Sequence, residues 1–158
     1  MQVEKRLEEL GLVLPEPQQL PGGPLPFIPV RIRGDHAYIA GHGPLNPDGT
    51  VWNTRGKVGS DLTLEQGQEA AKLVALAILA DLQRALGDLD RVTAWLKVLG
   101  MVNSAPGFTN QPAVINGFSE LIIELYGKAG AHARSAVGMA ELPFSIPVEI
   151  EAEVEIAP

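Results

Sequence analysis

Residues 148–156 read Val-Glu-Ile-Glu-Ala-Glu-Val-Glu-Ile, nine positions of unbroken alternation. Side chains of an extended strand point to opposite faces in turn, so Val148, Ile150, Ala152, Val154 and Ile156 share one face. Glu149, Glu151, Glu153 and Glu155 share the other. No helix can hold this pattern, because at 3.6 residues per turn it would scatter apolar and acidic groups around the whole circumference. The chain must therefore build a sheet with one apolar face. Four carboxylates along such a strand span roughly 20 Å. Residues two apart are too distant to ligate one ion unaided, and no His-x-His or His-x-x-x-His pairing accompanies them, so no metal site is expected. For Glu153 and Glu155 the plain reading is a solvated face that discourages edge-to-edge pairing.

The other elements follow from similar patterns. Val3 to Leu10 is a short amphipathic helix with Leu7 and Leu10 on its apolar side. Six prolines between Pro15 and Pro29 forbid a regular helix and predict an extended arm over the body, or else a loose linker. Phe27–Arg33 and His36–Ala40 form a hairpin around Gly34-Asp35. Thr63 and Gln66 have capping-box spacing at the start of a helix that Gly87 closes. Ala70 to Ala80 is apolar nearly all round, which predicts burial on more than one side. The stretch Leu73–Leu82 is interrupted only by Asp81. Arg91 to Val102 is a strand, with Val92, Ala94, Leu96 and Val98 on one face and Trp95, Leu99 and Met101 on the other. Pro112–Tyr126 is a second long helix ended by Gly127. Arg134–Ala140 and Pro147–Ile156 are the last two strands. The terminal hairpins imply a mixed or antiparallel sheet with helices on one face: an α+β chain, read as one domain over 1–158, with residues 1–26 as an N-terminal helix and proline-rich arm. A strand apolar on both faces needs cover on both, and a second copy of the chain is the economical cover for the face without helices.

Bulk properties exclude several function classes. Cysteine is absent, so thiol nucleophiles, thiolate metal sites and disulfides are impossible. No window is apolar for 18 residues and the N-terminus lacks a signal-type apolar segment, so no membrane association is expected, and the cytoplasm is the expected compartment. The net charge of −7, with twelve Lys and Arg thinly spread, offers no basic stripe and argues against nucleic acid as a partner.

Two basic residues stand out. Arg134 sits among small residues, Gly130-Ala131-His132-Ala133-Arg134-Ser135-Ala136, where its planar fork would have room to hold a carboxylate. It reads equally as an ordinary strand-start arginine paired with Glu141 or Glu149. His42 lies between two glycines after a strand, as a pocket wall or as a structural histidine. His132 neighbours Arg134, which would disfavour its charged form. No nucleophile elbow, Walker loop, dinucleotide fingerprint or metalloprotease helix is present.

The segment His-Ala-Arg-Ser-Ala-Val-Gly-Met-Ala-Glu-Leu-Pro at 132–143, followed by Val-Glu-Ile-Glu-Ala at 148–152, resembles the signature of the RidA family. These are reactive-intermediate (enamine/imine) deaminases, also called YjgF or endoribonuclease L-PSP proteins. Ile39-Ala40-Gly41-His42-Gly43-Pro44 and Val114-Ile115-Asn116-Gly117 are similar to further family segments, and the resemblance runs in order from about Phe27 to the end. It implies a chorismate-mutase-like fold, a mixed sheet with two helices on one face, and a homotrimer with a ligand cleft between subunits. It implies that Arg134 holds a substrate carboxylate, that Glu149 positions or activates water, and that the backbone at Ala136 contacts the reacting nitrogen. Phe27, Gly41, His42 and Asn116 fall at the other substrate-binding positions. Phe27 stands where the family often has tyrosine, His42 where the common type has glutamine, and Ala136 where cysteine is frequent. The residues before 27 resemble the addition found in a longer subgroup.

The implied activity is hydrolysis of small 2-imino or enamine acids to 2-keto acids and ammonia, with no cofactor. The partners implied are a small carboxylate-bearing metabolite and other copies of the chain. The alternative is a non-catalytic protein of the same fold that binds a small carboxylate, which would need Arg134 but not Glu149. A ribonuclease reading, carried only by the older family name, conflicts with the acidic charge.

Overall fold

The computed structural model describes residues 2–20 and 22–158; Pro21, one of the prolines of the expected arm, and Met1 lie outside the described residues. The elements are α1 (Gln2–Glu9), β1 (Val30–Arg33), β2 (His36–His42), α2 (Leu64–Leu86), β3 (Val92–Asn103), α3 (Gln111–Tyr126), β4 (Ala133–Met139) and β5 (Val148–Ile156). The sheet order is β1-β2-β5-β3-β4. β3 and β4 run parallel and the other neighbours are antiparallel. The sheet is mixed, as expected, because α3 is the crossover that returns the chain from β3 to its parallel neighbour.

β5 sits at the centre, and its alternation decides the layering. Val148, Ile150, Ala152, Val154 and Ile156 are buried under α2 and α3, and the glutamates face the other way. α2 is capped as its sequence predicts. Thr63 Oγ1 accepts from the Gln66 backbone at 3.1 Å, Gln66 Oε1 accepts from the Thr63 backbone at 3.0 Å, and Gly87 closes the helix at φ 84°. Its middle, Ala70 to Ala80, is buried all round apart from Lys72 and Leu73, which are half-buried. α3 crosses α2 closely because Gly117 has no Cβ; one there would collide with the Gln68 carbonyl. No helix is long and apolar enough to cross a membrane among the described residues.

Three expectations need correction. β1 begins at Val30 rather than Phe27, because Pro26 and Pro29 have no N–H to give a ladder; Pro29 contributes only its carbonyl, which accepts from Ala40 at 2.9 Å. The faces of β3 change phase along its length. Its pairing with β5 shifts between Val92 and Ala94 and again between Trp95 and Lys97. Each irregularity moves the alternation by one residue. Trp95 therefore joins Val92 and Val98 in the core, edge-on to Phe118 and Tyr126, while Ala94 and Leu96 are only half-buried. In α1 the buried pair is Val3 and Leu7, one turn apart, and Leu10 is exposed beyond the helix end.

The proline-rich arm lies on the body. Glu16 N–H donates to Pro47 O at 2.9 Å and Gln19 N–H to Gly49 O at 3.0 Å. Arg84 Nη1 donates to Pro15 O at 3.2 Å, tying the arm to α2. On the sheet face away from the helices, Tyr38, Lys97, Leu99, Glu151 and Glu153 border a shallow depression.

Candidate functional site

The residues singled out in the sequence separate into two groups. Glu149 anchors the first. Its strand position turns it away from the core, and its carboxylate lies directly over Gly41, where any Cβ would collide with Oε2. Gly41 reaches that place through an irregularity in β2. The register with β5 shifts between Ile39 and His42, so Ala40 and Gly41 both face outward and His42 turns inward. Glu149, Gly41 and Phe27 line one cavity of about 210 Å³, closed by Gln18 and Leu20 of the arm and by Phe144 and Ile146 before β5. The Glu149 carboxyl is pushed above the ordinary value, first by burial and then by the neighbouring Glu151 charge; His42 offsets part of this. A half-buried carboxylate with a raised pKa beside a cavity suits a group that takes and returns a proton.

His42 is 6% exposed and both of its ring nitrogens are engaged. Nδ1 lies 2.6 Å from the Ala40 carbonyl and Nε2 lies 2.8 Å from Asp81 Oδ2. Both partners are acceptors, so the arrangement is fully satisfied when each nitrogen carries a hydrogen. Asp81 takes the Arg84 guanidinium on its other oxygen at 2.9 and 3.1 Å. Burial alone would push the Asp81 carboxyl up; hydrogen bonds from His42 and Arg84 outweigh it and hold the group below its ordinary value. His42 and Asp81 border a second cavity of about 170 Å³ that shares Gln18, Leu20, Phe27 and Gly41 with the first.

Arg134 anchors the second group. It projects from β4 toward α3, where Nη1 donates to Asn116 Oδ1 at 2.9 Å and Ser119 Oγ at 3.0 Å, and Nη2 to Pro112 O at 3.3 Å. All three acceptors are uncharged, and neither Glu141 nor Glu149 is among them. The Ser119 hydroxyl also meets His132 Nε2 at 2.9 Å, and His132 Nδ1 lies 2.7 Å from the Gly130 carbonyl. Burial, and then the Arg134 charge, push the His132 ring below its ordinary pKa, against a contrary pull from the Gly130 carbonyl. A neutral His132 donates through Nδ1 and accepts from Ser119, whose lone pair remains for Arg134. The network fixes the guanidinium without cancelling its charge. Ala136 is half-buried two residues along the same face of β4.

The two groups do not converge within one chain. Arg134 pairs across β3 at Val98, and Val98 pairs with Ala152, three residues from Glu149. That register puts the two backbones about 14 Å apart. Arg134 faces the helices, whereas Glu149 points from the opposite face. Sequence reasoning missed Asp81, Ser119 and Phe144. Only Asp81 left a signal, as the one charge inside the long apolar stretch of α2.

This arrangement has relatives. The family model described as "YjgF/chorismate_mutase-like, putative endoribonuclease" matches residues 4–148. Protein TCP17 of Trypanosoma cruzi is 39% identical over 98% of this chain and 94% of its own. The crystal structure of Atu1372 from Agrobacterium tumefaciens, a protein of unknown function, is 42% identical and superposes with a TM-score of 0.87 over 98% of this chain and 92% of that one. Escherichia coli TdcF with bound serine, 22% identical over 91% of this chain and 98% of that one, shares the fold at a TM-score of 0.59. The chain belongs to the YjgF/chorismate-mutase-like family, the family of the RidA and L-PSP proteins.

Proposed function

We propose that the protein hydrolyses small 2-imino and enamine acids to 2-keto acids and ammonia, in a cleft where Arg134 of one chain faces Glu149 of another. The observation that carries this reading is the separation just described. An anchor for a carboxylate and a proton acceptor are each built with care, yet they point from opposite faces of one sheet. A second copy, in a trimer as the RidA resemblance implies, would supply the missing half to each. The serine bound to TdcF is itself a small carboxylate, the ligand class for which Arg134 is suited.

The chemistry asks little of the protein. An imine carbon is already electrophilic, so the site must hold the substrate, position water and move protons. Arg134 holds the carboxylate of R–C(=NH)–COO⁻ in its fork. Glu149 takes a proton from water as the oxygen bonds to C2, and the electron pair of the C=N bond moves to nitrogen, which takes up a proton. In the resulting carbinolamine the hydroxyl proton passes to the amino nitrogen, the oxygen's electron pair forms the C=O bond as the C–N bond breaks, and ammonia departs. The net reaction is imine plus water to ketone plus ammonia, and no redox partner is needed. An enamine such as 2-aminoacrylate enters after a proton moves to its terminal carbon.

The test generates 2-aminoacrylate in situ and follows pyruvate and ammonia. Wild type is expected to accelerate their formation, and Arg134→Ala of the same oligomeric state is expected not to. Saturable binding of pyruvate without any acceleration would replace this reading with the carboxylate-binding protein.

A further inference from the structure

Two residues other than glycine have positive φ among the described residues, and they are adjacent: Phe144 at 58° and Ser145 at 56°. Such a conformation is strained for a residue with a Cβ and persists where surrounding structure enforces it. Here that structure is visible. Arg55 Nη1 donates to the Phe144 carbonyl at 3.0 Å, and the Gly56 N–H donates to the Ser145 carbonyl at 2.8 Å. The buried Asn103 amide donates to the Ile146 carbonyl at 3.2 Å. With three consecutive carbonyls fixed, Phe144 is held at the Glu149 cavity, which it helps to line, and it stays 53% exposed.

Phe27 reaches the same cavity from the arm and is 54% exposed. A phenyl ring left half in water contributes little to the stability of its own chain. Two of them, from segments more than a hundred residues apart, border the space beside the Glu149 carboxylate. Leu20, Val51 and Ile146 make the rest of that wall mainly apolar, and the second cavity shares Gln18, Leu20, Phe27 and Gly41 with it. A three-carbon imino acid has nothing to place against these surfaces.

We propose that Phe144, together with Phe27, is a specificity-determining residue that takes the planar apolar side chain of an aromatic 2-imino acid. The inference rests on the deaminase reading for the reacting group, and adds the side chain. Flat rings bind between or beside phenyl groups by offset or edge contacts, which reward an aromatic side chain beyond its area alone.

The test compares wild type, Phe144→Ala and Phe144→Gly on imines formed in situ by an amino-acid oxidase from phenylalanine and from alanine. The same proteins are titrated calorimetrically with phenylpyruvate and pyruvate. Glycine accepts a φ of 58°, so Phe144→Gly is expected to keep or raise the unfolding midpoint, which separates loss of specificity from loss of folding. Wild type is expected to favour the phenylalanine imine by about tenfold or more in kcat/KM. Both variants are expected to lose that preference while the alanine imine changes by less than about threefold. Equal kcat/KM for the two imines in wild type, or variants that lose both in proportion, would overturn the inference. If wild type accelerates neither imine, the deaminase reading fails and the titrations alone decide. A preference for phenylpyruvate that disappears in Phe144→Gly would uphold the side-chain subsite. Equal affinity, or no binding of either acid, would sink it.

Discussion

The Arg134 group and the Glu149 group occupy one sheet but are built by opposite means. Arg134 is positioned by regular structure. A strand residue meets a helix, and side chains at Asn116 and Ser119, three apart on α3, close the hydrogen bonds. Glu149 is positioned by irregularity. A shifted register in β2, a glycine without a Cβ, a left-handed turn at Phe144 and an arm of prolines shape the space around it. The first group holds a charge still; the second leaves room beside one. A carboxylate anchor needs rigidity, and a proton acceptor needs an enclosed cavity, so the contrast follows the chemistry each is proposed to perform.

The contrast can be broken by substitution, beginning with the largest effects. Glu149→Gln keeps the shape of the side chain and removes its basicity. Deaminase turnover is expected to fall by about 10²–10⁴-fold with oligomeric state unchanged, measured as pyruvate release. Gly41→Ala comes next. The new methyl would meet the far end of a flexible side chain, so Glu149 can swing aside at little cost to folding. A carboxylate displaced by about 1 Å is expected to cost on the order of 10²-fold in activity, with unfolding free energy nearly unchanged. An equal loss from an alanine at Gly117, where the collision is with backbone, would instead be accompanied by a clear loss of stability.

Asp81→Asn acts on stability. The substitution removes a carboxylate shared by His42 and Arg84, and about 2–4 kcal/mol is expected to be lost at neutral pH by denaturant unfolding. The Asp81 carboxyl is depressed in the folded state, so its contribution is present above the unfolded-state value near pH 4 and lost as pH falls through the folded one. The gap between wild type and variant should therefore close in acid. Glu151→Gln is the smallest change. The Glu151 charge helps to raise the Glu149 carboxyl, so its removal is expected to move the acidic limb of the kcat/KM profile to lower pH. A limb that stays in place would assign the profile to another group.

How much of this was legible follows from the same division. Thr63, Gln66 and Gly87 marked both ends of α2, and the alternation of 148–156 fixed the core face of β5, because capping and pleat are properties of a few adjacent residues. The family segment singled out Arg134 and Glu149 as candidates, and the fold it implied is the one observed. The phase change at Trp95 was hidden, since a bulge is a property of two strands and not of one. So were Phe144 and Ser145: nothing in Leu-Pro-Phe-Ser distinguishes a left-handed pair from an ordinary turn until Arg55, Gly56 and Asn103 are in place. His42 and Asp81 could be noticed singly, as a histidine between glycines and a charge in an apolar run. Their partnership, thirty-nine residues apart, required the fold.

The proposed site takes Arg134 from one chain and Glu149 from another. The most direct test mixes Arg134→Ala with Glu149→Gln, each inactive alone, by co-refolding or co-expression, with native mass spectrometry confirming mixed oligomers. Under random mixing, about a quarter of the interfaces regain both intact residues, and deaminase activity is predicted to return in that proportion. Verified mixed oligomers with no more activity than either parent would contradict the shared site.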